Sequence, residues 1–201
     1  MANEYCSVDD VVAFTGDDDA RRNALATIVE AVSRGIDREC RRTFYTVQAT
    51  RLYDWPDRGY LRLRDDLLSV LSITTNSGQS LDSTDISLRP LGGPPYFEIV
   101  PVSGVSFEYD GTPFGAISVT GSWGYQTTVP ADIKLAAIIW AAYTYAKADV
   151  PALQKVSSGD INFIMTPDED KPPAPAWARM KKFVKTRIAV ASTTGQNVTV
   201  L

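Results

Sequence analysis

The hydrophobic pattern along this chain changes period twice. Over residues 18–42, Leu25, Ile28, Val29, Val32, Ile36 and Cys40 recur at helical spacing. That is the apolar stripe of an amphipathic helix, with Arg34, Arg38 and Arg41 on the opposite face. From 48 to 125 the period shortens. TRLYDW, YLRLR, LLSVLSITT, DISLRP, YFEIV, VSFEY and AISVTGSW are alternating or β-branched runs separated by Gly, Pro, Asn, Asp and Ser. They predict an antiparallel β-module, with turns at GGPP (92–95) and DGTP (110–113). The helical period then returns. Pro130 and Asp132 suit the first turn of a helix running to Ala148.

That third segment has no charged residue between Leu135 and Ala146. A helix apolar all round is expected to be buried all round, here between the 18–42 helix, the β-module and a neighbouring subunit. Trp140 and Tyr143, with Arg34, Arg38 and Arg41, are the expected subunit contacts. Before the long helix, Ser7 precedes Val8-Asp9-Asp10, a capping box with Asp in place of Glu, and Gly16 is the expected stop. Asp17, Asp18 and Asp19 follow. They read as the charged start of the next helix rather than as a metal site.

Beyond residue 150 the pattern is loop-like. The stretch 157–176 is acidic and proline-rich, as an exposed semi-rigid linker would be. Within it INFIM (161–165) is apolar and needs a docking place. A last helix is expected over 175–190, with Trp177, Met180, Val184 and Ile188 on one face. Arg179, Lys181, Lys182, Lys185 and Arg187 surround that face. The tail Asn197-Val198-Thr199-Val200-Leu201 alternates and is β-prone, able to add to the edge of another sheet. Together these segments predict an α+β chain. Residues 1–46 and 129–156 form a helical domain, 47–128 an inserted antiparallel β-module, and 157–201 a linker, helix and docking tail.

Composition narrows the function. The 201 residues are 44% hydrophobic and 22% charged, ordinary for a globular protein. The net charge is −4 and the pI about 4.9, which argues against a broad nucleic-acid-gripping surface. There is no histidine, and Cys6 and Cys40 are far apart. Ser-His-Asp and Cys-His catalysis are excluded, and neither a zinc site nor a disulfide framework is expected. Cys40 reads as a small core residue. GGPP lacks the Lys and following helix of a phosphate loop. The N-terminus has no secretory pattern. No apolar run reaches the roughly 18 residues of a membrane span. A soluble chain made in the cytoplasm, with no cofactor, metal or membrane contact, is expected.

The order of elements carries a resemblance. A capped short helix comes first, then a long helix ending in RECRRTFY (38–45). A β-module follows, closed by Trp123-Gly124-Tyr125, and then Val129-Pro130-Ala131-Asp132-Ile133 opens the apolar helix. Over residues 5–150 this resembles the head–tail connector (adaptor) proteins of tailed bacteriophages, in the longer variant with an inserted β-module. The resemblance implies a structural virion protein at the neck. It would be one subunit of a dodecameric homo-oligomeric ring beneath the portal protein. The ring would extend the channel for double-stranded DNA and present a surface to the next neck or tail protein. No catalysis is implied. A net acidic subunit lets DNA slide without sticking. On this reading Trp177, Met180, Val184, Ile188, Val198, Val200 and Leu201 dock onto the portal.

Three other functions remain open. A tail-completion protein would share the ring symmetry and bind tail tube. An enzyme would need paired carboxylates, and none of those in the β-module stands out as a pair. A carbohydrate-binding module would use Tyr53, Trp55, Tyr60, Tyr96, Tyr109 and Trp123 as stacking platforms, roles that core and sheet packing fill equally well.

Overall fold

The computed structural model describes residues 3–16, 22–148 and 171–185. Helix α1 spans Val8–Thr15. Ser7 Oγ accepts from the Asp10 N–H at 3.0 Å and the Asp10 carboxylate accepts from the Ser7 N–H at 2.8 Å, so both halves of the capping box form. Gly16, at φ 70°, ends the helix with its N–H on the Val12 carbonyl. Helix α2 spans Arg22–Cys40 among the described residues and ends two residues before the expected 42. Arg41 turns to φ 53° and breaks the helical repeat at the C-terminal end. Residues 17–21, with the three aspartates, lie outside the described residues.

Six strands follow, β1 (Val47–Tyr53), β2 (Leu61–Thr75), β3 (Ser80–Leu81), β4 (Ile86–Arg89), β5 (Tyr96–Pro101) and β6 (Ile117–Trp123). They form one antiparallel sheet in the order β1-β6-β2-β5-β4, with β3 on β2. Two differences from expectation have physical causes. YLRLR and LLSVLSITT are one bent strand, because β2 is interrupted by register shifts instead of a turn. Its first half pairs with β5 and its second with β6. The Arg51–Asp65 ion pair shows the first half folding back beside β1, so the sheet rolls around its own core. VSFEY (105–109) is not a strand. The Gln79 amide bonds the Ser106 carbonyl and the Glu108 N–H, and the Trp55 indole bonds the Phe107 carbonyl. Side chains take the place of a ladder there.

Helix α3 spans Ala131–Ala148. It is not buried on every side. Ile133, Ala136, Ala137, Trp140, Ala141 and Tyr145 are in the core, whereas Leu135, Ile138, Ile139 and Ala142 are half-buried. Helix α4 spans only Ala174–Met180, followed by a 3-10 turn at Lys181–Phe183. Val184 is extended, at φ −61° and ψ 124°, so the expected helix over 175–190 does not form as one piece. INFIM lies outside the described residues.

Two apolar clusters result. One joins α1, α2, α3 and α4 around Val29, Ile36, Phe44, Ile133 and Met180. The other fills the rolled sheet around Leu67, Ile73, Ile99, Val119 and Trp123. Helices pack tightly in the first: a methyl on Gly35 would lie 2.8 Å from the Trp140 ring.

Candidate interaction surfaces

The two clusters meet where β6 leaves the sheet. Trp123 closes the β core, its indole donating to the Ala49 carbonyl at 2.8 Å. Gly124 takes φ 143°, and a methyl there would run into the Tyr45 carbonyl oxygen. Its N–H donates to the Asp66 carbonyl at 2.8 Å, and the next N–H, of Tyr125, to the Thr43 carbonyl at 2.8 Å. The Tyr125 ring then meets Phe44 and Phe183 edge-on in the helical cluster. Thus three consecutive residues finish one core, cross the junction and enter the other.

A charge cluster sits at the same junction. The Asp66 side chain is 2% exposed. It takes an ion pair from Arg42 at 2.8 Å and another from Lys185 at 3.1 Å. Lys185 also donates from Nζ to the Arg64 carbonyl and from its backbone N–H to the Cys40 carbonyl, both at 2.9 Å. Arg42 lies over the Tyr125 ring. This carboxylate was not legible in the sequence, where it is one of several beside apolar residues.

A second polar network ties the N-terminus to α2. Tyr5 donates its hydroxyl proton to Asp37 and accepts from the Phe44 N–H at 2.9 Å. Burial raises the pKa of both Tyr5 and Asp37 above their ordinary ranges.

The expected contact residues separate into three groups. Trp140 is 5% exposed and Met180 fully buried. Both are used inside this chain, against Gly35 and the helical core respectively, and are unavailable to a partner. Tyr143 and Trp177 are exposed, with Lys147 over the Tyr143 ring, and Val184 is half-buried. Arg34 stacks on Tyr5 and Tyr45 and pairs with Asp37 at 3.1 Å. Arg38 reaches Glu39 and is mostly exposed, as is Arg41. Ile188, Val198, Val200 and Leu201 lie outside the described residues.

The sheet adds a surface that sequence reading missed. Gln48, Thr50, Ser69, Thr120 and Ser122 line a shallow hollow with no charged side chain. Leu71 stands on it, 78% exposed. The alternation of β1 and β6 contained this signal, since Gln48 and Thr50 lie opposite Ser122 and Thr120.

Several carboxylates of the β-module have structural partners. Asp54 accepts from the Gly115 N–H, Asp82 caps Thr84, Asp65 pairs with Arg51 and Glu98 faces Arg62. Among the described residues no three His, Cys, Asp or Glu side chains converge as metal ligands. None of the described helices is long and apolar enough to cross a membrane.

No family model matches the chain, nor does any curated protein. Solved structures do. A chain from the neck of an empty gene transfer agent particle, computed with C6 symmetry, aligns at TM-score 0.57 and 14% identity, covering 90% of each chain. A chain from the neck of the native particle, computed with C12 symmetry, aligns at 0.52 and 16%, covering 94% of this chain and 97% of that one. A chain of the native virion aligns at 0.51 and 15%, covering 84% and 80%. At these identities the likeness is one of fold: this α+β chain shares its architecture with chains of phage-like neck assemblies.

Proposed function

We propose that this chain is a structural neck protein of a tailed, phage-like particle, a head–tail connector. The observation that carries the reading is the fold shared with neck chains over nearly the whole length of both partners. The order of helices, β-module and apolar helix independently resembles that family. Copies pack as a ring homo-oligomer, dodecameric by analogy with the symmetry of the neck quoted above. The ring lies beneath the portal protein, extends the DNA channel and meets the next neck or tail protein. Double-stranded DNA passes without specific binding, consistent with the net charge of −4. No reaction is assigned, because the carboxylates described above serve turns and ion pairs.

Subunit contact uses Arg38, Arg41 and Tyr143, all exposed, with Arg34 at their border. Portal docking uses Trp177, Val184, Ile188 and the tail with Val198, Val200 and Leu201, the tail as an added strand. Around a ring, a weak contact per subunit still gives firm attachment.

Two experiments test this. Imaging the neck of particles that carry a tagged chain is expected to show a ring below the portal. A single copy, or density elsewhere in the particle, ends the connector reading. Truncating the chain after Thr186, and separately after Gly195, is expected to weaken its joining to purified portal. Full binding by the Thr186 truncation would remove the tail from the docking site.

A further inference from the structure

Where β1 ends and β2 begins, residues 53–64 line a groove of about 380 Å³. Strand β1 has β6 as its ladder partner, and the first half of β2 has β5. Among the described strands no ladder joins β1 to β2. The groove therefore lies against strands that are not hydrogen-bonded to each other.

The polar groups of the groove are chiefly donors in search of acceptors. Strand β2 alternates here, with Leu61 and Leu63 buried in the sheet core and Arg62 and Arg64 exposed. Arg58 adds a third guanidinium from the loop. Among the described residues, the side chains of Arg58 and Arg64 form no ion pair. Arg62 reaches Glu98 only at 3.8 Å, with 42% of its side chain exposed, and such a pair holds a guanidinium weakly. Tyr53 is 5% exposed, its ring stacked on Trp123 in the sheet core. Its hydroxyl is buried without a hydrogen-bond partner among the described residues. The Arg64 backbone N–H lies close to it without completing a bond, and the hydroxyl proton has no acceptor. A buried polar group left unpaired is uncommon in a folded protein and calls for an explanation. Burial also keeps the Tyr53 pKa above its ordinary range, so the group is a donor at neutral pH.

We propose that this groove binds an acidic peptide segment of a partner protein, laid in extended form along β2. Arg62 and Arg64 stand on one face, two residues apart, which is about 6.8 Å along a strand. Alternate side chains of an extended peptide have the same spacing, so successive carboxylates meet the two guanidiniums in register. The Tyr53 hydroxyl supplies a further donor at the Arg64 end, and Arg58 closes the other. The mixed charge of the groove favours peptide over nucleic acid. Asp54 and Asp57 share the groove, and the chain carries a net charge of −4. A duplex would press a continuous run of phosphates against those carboxylates, whereas a peptide brings backbone N–H donors to them. This inference does not rest on the connector reading, and either can fail without the other.

The test is fluorescence anisotropy of a short labelled peptide alternating Glu and Thr, titrated with the native full-length chain. The peptide is expected to bind, and the same peptide with Gln for Glu is not. Arg62→Gln and Arg64→Gln are each expected to weaken binding about tenfold. Tyr53→Phe is expected to weaken it about threefold to tenfold, without lowering the urea midpoint of the free chain, where the hydroxyl has no partner to lose. The proposal is overturned if the Gln peptide binds as well as the Glu peptide. It is overturned if inorganic phosphate or a short DNA duplex displaces the label more readily than unlabelled peptide does. Wild-type binding by Arg64→Gln or Tyr53→Phe, or no binding at about millimolar concentration, overturns it too.

Discussion

At Gly124 the backbone adopts φ 143°, a region that side-chain-bearing residues enter only with strain. The Tyr45 carbonyl also occupies the space a methyl would need. Gly78 has φ 86° but nothing near its missing side chain. The two glycines separate conformational cost from steric cost. Gly124→Ala is expected to lose about 2–5 kcal/mol, strain and clash together. Gly78→Ala is expected to lose only about 1–2 kcal/mol, the conformational cost alone. Urea unfolding of both variants checks this, and equal losses would show that the Tyr45 contact costs nothing. The sequence already pointed to Gly124, through its place between Trp123 and Tyr125. It did not point to Asp66. In a regular strand, the buried neighbour Leu67 would place residue 66 on the outer face. The register shift between Arg62 and Leu67 turns both Asp66 and Leu67 inward, and a bulge of this kind leaves no mark in an alternating pattern.

Elements whose ends are set by local chemistry were the most legible. Helix α1 starts and stops at its caps, and α2 follows its apolar stripe. The capping box also makes a pH prediction. The Ser7 backbone N–H, and next to it Lys134, hold the Asp10 carboxyl below its ordinary pKa. A lowered folded-state pKa contributes stability that is present above the ordinary carboxyl range and disappears as pH falls through the lowered value. Asp10→Asn is therefore expected to cost about 0.3–1 kcal/mol at neutral pH. The gap to the wild type should narrow in acid, as pH falls through the lowered carboxyl value. Urea midpoints measured at both pH values decide it, and a gap that persists in acid would show that the carboxylate charge is not what caps the helix. Elements set by distant partners were less legible. The last helix stops early because Val184 extends to bring Lys185 onto Cys40 and Asp66, residues far away in sequence. VSFEY has strand composition, yet side chains of Gln79 and Trp55 occupy its backbone groups.

On the scale of the whole molecule, the helical cluster and the sheet cluster are distinct bodies of apolar side chains. Sequence periodicity pointed to the stripe of α2 and the alternation of the strands, but not to the place of Ala176 and Met180 in the helical cluster. It could not locate what joins the two clusters, because the joint is made by single residues from four separate stretches: Arg42, Asp66, Gly124 and Lys185. Asp66 is the centre of that joint. Replacing it by Ala leaves Arg42 and Lys185 facing each other with no carboxylate between them. Removing one partner of a buried ion pair typically costs about 3–5 kcal/mol, and here the loss falls on the contact between the clusters rather than within either. Asp66→Ala is therefore expected to separate their unfolding. Trp123 lies in the sheet core and Trp140 in the helical core, so each cluster has a native fluorophore. With Trp55 and Trp177 replaced by Phe, and either Trp123 or Trp140 kept as the single reporter, the midpoints should coincide when Asp66 is present and part in Asp66→Ala. If the two probes still report one shared transition, shifted as a whole, then the clusters are coupled through the Trp123–Tyr125 backbone crossing and Asp66 contributes only stability.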